Sequence, residues 1–303
     1  MATTVVAPVG NSIALAAKYL PLLDTLYKRE SLTSMLDVSN ADWVGADTVK
    51  LMNLATVGMG NYSRNAGYVP GDANASWETY QIAQDRARSY QIDYLDNEES
   101  LSVIVGNLLG EVERLHVVPE IDAYTFAKLA GTANIDGATG ALAANTTLDA
   151  IATAEASMDD NEVPYEGRIL YVNPTVYMYL KGEIERRIIN SENNVNMNVE
   201  YFDDMRIVRV PSARFNTSIT LNAPTDHDGA GGYTAAGSTI NFMIVHPSAV
   251  MKVMKHTRLS LFSPEQNIEA DAWRLNMRYA FDTFVKTNKV KGIYCHAPST
   301  SSG

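Results

Sequence analysis

The sequence predicts an α+β protein, and three segments of the chain support this fold class. An extended segment over residues 78–95 alternates large residues with small or polar ones at a period of two, which is typical of a β-strand. Residues 98–131 place apolar residues at three- and four-residue spacing, as one face of a long helix does. Residues 145–250 alternate helical patterns with short apolar runs, which indicates a compact α/β unit.

The composition is that of a globular chain with a sizeable core: 303 residues, 46% hydrophobic and 19% charged. Lysine and arginine number 24 against 35 acidic residues, so the net charge is −11. This balance argues against a dedicated nucleic-acid binder, because neutralising phosphates requires an excess of basic residues. The one cysteine, Cys295, excludes an internal disulfide and a cysteine-based zinc cluster. No run approaches the roughly 18 apolar residues of a membrane span.

Residues 1–41 predict an N-terminal arm. Residues 12–26 are apolar and compatible with a helix, and they contain Leu22 and Leu26. Such a helix packs either on its own domain or on a neighbouring subunit, and the periodicity favours neither. In the second case Leu22 and Leu26 are candidate contacts between subunits. The polar residues 299–303 are predicted to form a disordered tail.

An extended β-hairpin is predicted after the arm, with a strand at 48–57, a turn-rich tip and the long segment 78–95. At about 3.3 Å per residue that segment would reach roughly 60 Å, which exceeds a compact domain. We therefore expect the hairpin to project and another copy of the chain to cover its Tyr/Ile face. The alternative is two shorter strands with a bend near residues 85–87. The candidate contacts with a neighbouring copy are Tyr80, Ile82, Arg86, Arg88, Tyr90, Asp93, Asp96, Glu98 and Glu99.

The long helix is predicted to begin at a capping box formed by Asp96 and Glu99. Pro119 is expected to kink or restart it, and Gly131 to end it. The first part of its apolar stripe consists of Leu101, Ile104, Val105, Leu108, Leu109, Val112 and Leu115.

The elements predicted after it fall into two groups. In the α/β unit they are helices over 147–158 and 175–189, strands over 168–172, 205–210 and 240–245, and a loop over 223–239. Later in the chain they are strands over 251–262, 273–281 and 289–295, and residues 273–281 place Trp273, Leu275, Met277, Tyr279 and Phe281 on one face.

Motifs that carry chemistry are absent from the sequence. It has no nucleophile elbow, no zinc-binding His-Glu-x-x-His and no Walker A loop, and its five histidines are scattered. The glycine-rich residues 229–232 lack the lysine and the strand-to-helix setting of a phosphate loop. We therefore expect no catalytic residue, no metal and no cofactor. An enzyme carried by the 145–250 unit is the competing function class.

Four stretches resemble the major capsid proteins of tailed bacteriophages, whose fold is named for phage Hong Kong 97. Residues 88–99, RSYQIDYLDNEE, are similar to the end of the family's extended loop where it enters the spine helix. Residues 119–131 resemble the later part of that helix, and residues 240–250, INFMIVHPSAV, a core strand of the axial domain. Residues 278–294 resemble the C-terminal end of capsid proteins from phages and prophages of Gram-positive bacteria.

The resemblance implies a domain organisation for the chain. Its parts are an N-terminal arm (1–41), an extended loop (42–97), a peripheral domain with a spine helix (98–131 and 251–288), an α/β axial domain (132–250 and 289–298) and a tail (299–303).

The resemblance also implies a role. Copies would form pentamers and hexamers that close into an icosahedral head around double-stranded DNA, without binding that DNA specifically. The partners would be other copies, a separate scaffolding protein, a portal and cement proteins, with no membrane involved. Assembly would take place in the bacterial cytoplasm and the product would be the virion. The alternative within the same fold is the shell of an encapsulin-type nanocompartment.

Overall fold

A computed structural model gives the fold of the chain. It describes residues 30–37, 48–65, 67–94, 108, 110–188, 200–223, 229 and 231–298. The strands are β1 (Thr48–Thr56), β2 (Ala73–Gln81), β3 (Gln84–Asp93), β4 (Asp136–Thr139), β5 (Ile169–Val172), β6 (Tyr201–Phe202), β7 (Met205–Arg209), β8 (Asn216–Leu221), β9 (Tyr233–Thr239), β10 (Phe242–Val245), β11 (Val250–Phe262), β12 (Ala272–Val285) and β13 (Ile293–Ala297). The α-helices are α1 (Val118–Ala130), α2 (Thr147–Asp160) and α3 (Pro174–Ile188).

A six-stranded mixed sheet has the order β4-β13-β10-β5-β7-β6, and its central strands β5 and β10 are buried on both faces. On β5, Leu170 and Val172 pack with α2 and α3, whereas Ile169 and Tyr171 pack on the opposite side with Phe126 of α1. A strand covered on both faces has no polar side, which explains why it appears in the sequence as a continuous apolar run. The predicted helices of this region and its strands β5, β7 and β10 are confirmed, with ends within two residues.

A second sheet of three antiparallel strands, in the order β11-β12-β3, packs against α1. The predicted apolar face of β12 is confirmed: Leu275, Met277, Tyr279 and Phe281 are buried against Ile121 and Tyr124 of the helix. The other face of this sheet carries exposed polar and charged residues along β3 and at Arg278 of β12. Near the start of β11 and the end of β12 this face is instead apolar, because Met251, Val253 and Phe284 are buried there.

The prediction of one long strand over 78–95 is wrong. The segment forms two strands, β2 and β3, which are interrupted at Ile82 and Ala83. Strand β2 pairs with β1 in a separate two-stranded hairpin, whereas β3 pairs with β12. The interruption lies slightly before the bend considered at residues 85–87. Alternation continues through both strands, so periodicity could not show that they belong to different sheets.

The predicted loop over 223–239 is also wrong in part. Strands β8 and β9 form an antiparallel hairpin that packs on α1, and Ile219 and Leu221 contact the core beneath the three-stranded sheet. Strand β9 has the sequence YTAAGST, in which one large apolar residue is followed by small ones. This composition gives no clear period-two signal, so the pattern indicated a loop.

The predicted long helix has a π-helical turn at Glu113–Val117, directly before α1. Pro119 follows this turn. Because a proline has no N–H to donate to the preceding turn, its position fits the prediction that the helix restarts there. Gly131 ends the helix as predicted. Leu115 is wrong as a member of the apolar stripe, since its side chain is 54% exposed. The π turn shifts the helical phase, and this places Leu115 on the solvent side.

Two further expectations concern the chain ends. The predicted strand over 289–295 begins later, because residues Thr287–Gly292 form a 3₁₀ turn and β13 begins at Ile293. Within the predicted arm, Leu36 is buried in the core with Phe126, so at least this segment of residues 1–41 packs on its own subunit. The predicted helix over 12–26 and the tail over 299–303 lie outside the described residues.

Candidate assembly surface

The β1–β2 hairpin carries a concentration of exposed large apolar side chains. Of the 15 such side chains among the described residues, seven lie on this hairpin. We call this set the hairpin surface: Met52, Val57, Met59, Tyr62, Tyr68, Val69 and Trp77. Met59 is fully exposed, Tyr68 is 89% exposed and Trp77 is 64% exposed. Single exposed apolar residues are ordinary, whereas a group of this size marks a contact site.

The side chains of the hairpin surface include two pairs, one on the strands and one at the tip. Met52 lies directly opposite Trp77 in the antiparallel pair, so the two side chains share the outer face of the hairpin. At the tip, the rings of Tyr62 and Tyr68 pack edge to face with centroids 5.2 Å apart. Backbone bonds between Ser63 and Gly67 close the turn between them. The nine-residue strands extend the hairpin over about 30 Å at ~3.3 Å per residue.

The opposite face of the hairpin is anchored to the subunit at its base. Val49 is completely buried with Met251, Val253 and Phe284 of the three-stranded sheet. Tyr80 packs on the same group, with its ring centroid 5.0 Å from that of Phe284. This cluster covers only the first residues of the hairpin. The hairpin therefore has a fixed root and an uncovered outer part.

A buried carboxylate fixes the joint between the hairpin and the sheet. Asp282 is 1% exposed and accepts a 2.9 Å hydrogen bond from the backbone N–H of Ala83, between β2 and β3. Its other oxygen accepts bonds from the Tyr124 hydroxyl (2.8 Å) and the Thr283 N–H (2.7 Å). Burial, followed by the Asp282 charge, raises the pKa of Tyr124, which keeps this hydroxyl a donor. Asp282 thereby links the point where the hairpin departs to α1 and β12.

The structure gives several of the predicted contact residues neighbours within their own chain. Tyr80 and Ile82 pack on the base cluster, and Tyr90 packs on the core beneath the three-stranded sheet. The subunit therefore half-buries most of the Tyr/Ile face by itself, although Tyr94 is 39% exposed. That another copy covers the remainder stays a prediction. Arg88 and Asp93 lie on β3, where Arg88 alternates toward the half-buried side and Asp93 toward solvent.

Arg86 also has a partner in its own subunit. Its Nε lies 2.7 Å from Glu120 of α1, and one Nη bonds the second carboxylate oxygen at 3.3 Å. The same guanidinium donates to the carbonyl oxygen of Gly232 in the β8–β9 turn, at 3.2 Å. Arg86 thus ties β3 to two other elements. Contacts of these residues between subunits stay a prediction, and Leu22, Leu26, Asp96, Glu98 and Glu99 lie outside the described residues.

Chemistry-bearing groups elsewhere are held in structural contacts. A hollow of about 450 Å³ beside α2 is lined by Glu155, Asp159, Arg168 and Asp203, among others. Arg168 is already engaged there by Asp159, at 2.6 Å. Burial, reinforced by the charge of Asp203, raises the pKa of Glu155 to about 7. Burial likewise raises the pKa of the Cys295 thiol to about 12, which leaves it unreactive.

Within the described residues no group of three or more His, Cys, Asp or Glu side chains is arranged to hold a metal ion. None of the helices in that part of the chain is long and apolar enough to cross a bilayer.

Sequence reasoning missed the hairpin surface as a site. The glycines of the tip, residues 58–74, predict only a flexible turn. The signal that could have identified it is the presence of Met59, Tyr62, Tyr68 and Val69 in a turn-rich segment with few charges. Loops that pack on nothing are usually polar, so large apolar residues at such a place indicate a partner.

Comparisons with known proteins agree with this geometry. A family model described as phage capsid protein matches residues 117–295, more than half of the chain. The capsid structure of the cyanophage P-SCSP1u has a TM-score of 0.62 and 14% identity, over 88% of this chain and 87% of that chain. A structure from Mycobacterium phage Che8 has a TM-score of 0.55 and 15% identity, over 83% and 85%. The crystal structure of the virus-like particle from Pyrococcus furiosus has a TM-score of 0.56 and 11% identity, over 93% and 99%. A search of curated protein sequences gives no match.

These likenesses define the fold as the Hong Kong 97-like capsid fold of tailed phages. The chain belongs to the phage capsid protein family, and it is a capsid shell protein.

Proposed function

We propose that this chain is the major capsid protein of a phage head. Copies associate into pentamers and hexamers, and these close into an icosahedral shell that encloses double-stranded DNA. The observation that carries the proposal is the hairpin surface, a projecting apolar surface with a fixed root. The family assignment supports a shell role, and the hairpin supplies a physical means of joining one copy to the next.

The hairpin supports a head-to-tail contact. Val49 and Tyr80 hold its base against its own subunit, so the outer residues such as Tyr68 and Trp77 point away from that core. A patch on an extension meets a different patch on the neighbour, which makes a heterologous contact. Such contacts generate closed rings when the rotation closes, and rings are what capsomers require. Covering the hairpin surface in this way would remove large apolar area from water.

The parts of the chain take their roles from the resemblance. We propose that residues 1–41 form the arm and 42–97 the extended loop, with 98–131 and 251–288 as the peripheral domain and 132–250 and 289–298 as the axial domain. Within the proposed loop, β3 is also part of the three-stranded sheet, so the projecting portion is the hairpin over 48–81.

The other parts of the proposal concern partners and place. A net charge of −11 per copy suits a shell that encloses DNA without binding it tightly. Scaffolding, portal and cement proteins are the further partners that the resemblance implies. The shell would assemble in the bacterial host cytoplasm and act in the virion as a structural protein without enzymatic activity.

An encapsulin-type nanocompartment is the second candidate. The similarity to the virus-like particle from Pyrococcus furiosus, which spans nearly all of both chains, supports it at the level of fold. The match to the phage capsid family model favours the phage head. A gene neighbourhood with portal, scaffolding and protease genes supports the phage head. A neighbouring enzyme gene whose product is captured inside the shell supports the nanocompartment.

The proposal is tested with a hairpin variant and a matched control. The double substitution Tyr68→Ser with Trp77→Ser removes apolar area from the hairpin surface. Tyr165→Ser with Met178→Ser removes large exposed residues, 62% and 68% exposed, from the six-stranded-sheet unit. We expect negative-stain microscopy and sedimentation to show far fewer shells and capsomers for the hairpin variant, and normal assembly for the control. Equal assembly by both variants contradicts the role of the hairpin.

A deletion of residues 58–74 sharpens the same test. It removes the tip and leaves the base contacts of Val49 and Tyr80 in place. We expect a soluble subunit that forms few shells. Normal shells from the deletion, or a small catalytic oligomer that never assembles from the unaltered chain, overturns the proposal.

A further inference from the structure

A short segment near the N-terminus is docked into the core by polar contacts. We call residues 31–37 the strap. Its 3₁₀ turn places Leu36, 2% exposed, against Phe126 and Tyr171. The hydroxyl-bearing residues Ser31 and Thr33 are also buried, Thr33 completely. A segment that buries hydroxyl groups must find partners for them in the core, since unpaired buried polar groups are costly.

The first partner is Asp122 of α1, whose carboxylate is completely buried. It accepts hydrogen bonds from the Ser31 hydroxyl at 2.8 Å and from the Thr33 hydroxyl at 2.6 Å. The backbone N–H groups of Leu32 and Thr33 donate to it as well, at 3.1 and 3.4 Å. Arg214 lies 3.6 Å away and supplies a compensating charge. Most of the hydrogen bonds to this buried charge therefore come from the strap.

The second partner is Lys252 of β11, whose side chain is 3% exposed. Its ammonium group donates to the Thr33 hydroxyl at 2.7 Å and lies 3.1 Å from the carboxylate of Asp37. The Thr33 hydroxyl therefore accepts from Lys252 while it donates to Asp122. One hydroxyl group joins a buried anion on a helix to a buried cation on a strand.

We propose that Asp122 and Lys252, bridged by Thr33, form a clamp that holds the strap on the core. If the strap lifts, both charges lose their strap partners in a buried setting, which is strongly unfavourable. If only part of the strap is released, Asp122 and Lys252 lose hydrogen bonds while at least one of the two charges stays shielded from water. Because this intermediate is costly, we expect the strap to open as one unit. This clamp lies within one subunit and does not depend on the proposed role of the hairpin.

Thr33→Val is the direct test, because it keeps the shape of the side chain and removes the bridging hydroxyl. Thr132→Val is the matched control, since that hydroxyl bonds only its own helix, at Lys128. Hydrogen exchange of the purified full-length protein, read by mass spectrometry over residues 31–37, reports strap opening. We expect exchange to rise about tenfold or more for Thr33→Val, the effect of losing one to two hydrogen bonds to charged groups, and to be unchanged for the control.

Two further variants distinguish loss of the bridging hydrogen bonds from general destabilisation of the subunit. Thr33→Ser keeps the hydroxyl and should restore slow exchange. Asp122→Asn removes the charge at the other end of the bridge and should raise strap exchange, while amides of β10 and β12 stay protected. Fast strap exchange in the unaltered protein, or slow exchange in Thr33→Val, overturns the clamp. The hairpin variant Tyr68→Ser with Trp77→Ser should leave strap exchange unaltered, so the clamp and the assembly proposal fail independently.

Discussion

Strands β10 and β2 show two different ways in which apolar residues are used in this chain. All four residues of β10 are completely buried, with a strand on each side and packing on both faces. In β2, every residue is exposed except Glu78 and Tyr80, which are half-buried. The subunit completes the environment of β10 by itself, whereas it covers only the root of β2. The central strands of the six-stranded sheet therefore belong to the core of the subunit, whereas most of β2 lies exposed, as the proposed contact between copies requires.

The largest effect on the free energy of unfolding is expected in the buried core around the six-stranded sheet. Phe126 is completely buried and its ring packs edge to face with Tyr171 and Phe215, each at 5.0 Å. Phe126→Ala should lower the free energy of unfolding by about 3–5 kcal/mol, because it removes apolar contact and leaves a cavity. Urea denaturation of the subunit followed by circular dichroism measures this. A loss below about 1 kcal/mol would show that the site collapses or that the core is assigned wrongly.

An intermediate effect is expected at Arg86, which lies between the two regions. Arg86→Met leaves the mostly buried Glu120 carboxylate without its bidentate partner, so the free energy of unfolding should fall by about 1–3 kcal/mol. Arg114→Met is the control, because its pair with Glu111 is exposed and should contribute at most about 0.5 kcal/mol. If Arg86→Met leaves subunit stability unaltered and blocks assembly, the original prediction of a contact between subunits is the better account.

A pH-dependent effect is expected at Glu155. Its pKa in the folded chain is about 7, above the ordinary value of 4.5, so the folded state favours the protonated form. The resulting stabilisation is complete below pH 4.5 and is lost as the pH rises through 7. Glu155→Gln should therefore become more stable relative to the unaltered protein as the pH rises across this range. Urea denaturation at both ends of the range measures it, and a pH-independent difference would contradict the raised pKa.

The smallest effect on the free energy of unfolding is expected at the exposed hairpin. Trp77→Ser should change the free energy of unfolding by less than about 0.5 kcal/mol, since the ring is mostly in solvent. The same substitution should still reduce assembly, which sedimentation reports. A large loss of subunit stability would show that the hairpin is part of the core and would remove the contrast with β10.

Local sequence patterns were sufficient to predict the elements with a clear helical period and the strands made of one continuous apolar run. The helices α2 and α3 and the apolar strands β5 and β10 follow directly from periodicity and from runs ended by Asn173 and His246. The face shared by Leu275 and Tyr279 was equally readable, because alternation shows which residues point the same way. The resemblance to capsid proteins rested on several such stretches in order.

The assignment of partners could not be predicted in the same way. Arg86 alternates like a surface residue, and only the arrival of α1 and the β8–β9 turn makes Glu120 and Gly232 its partners. Asp122 appeared in the sequence as one carboxylate in a helix, and nothing local predicted that residues 31–33 donate to it across about 90 positions.

Periodicity was enough to predict the α+β class and most elements of the six-stranded sheet, because it records which residues share a face. The family resemblance came from the wording of particular stretches. What covers each face depends on the tertiary structure. That structure divided one alternating segment into β2 and β3, half-buried Tyr80 and Tyr90 against the subunit, and left Trp77 and Tyr68 exposed. The physical reason is that burial depends on elements distant in sequence, whose approach no local pattern encodes.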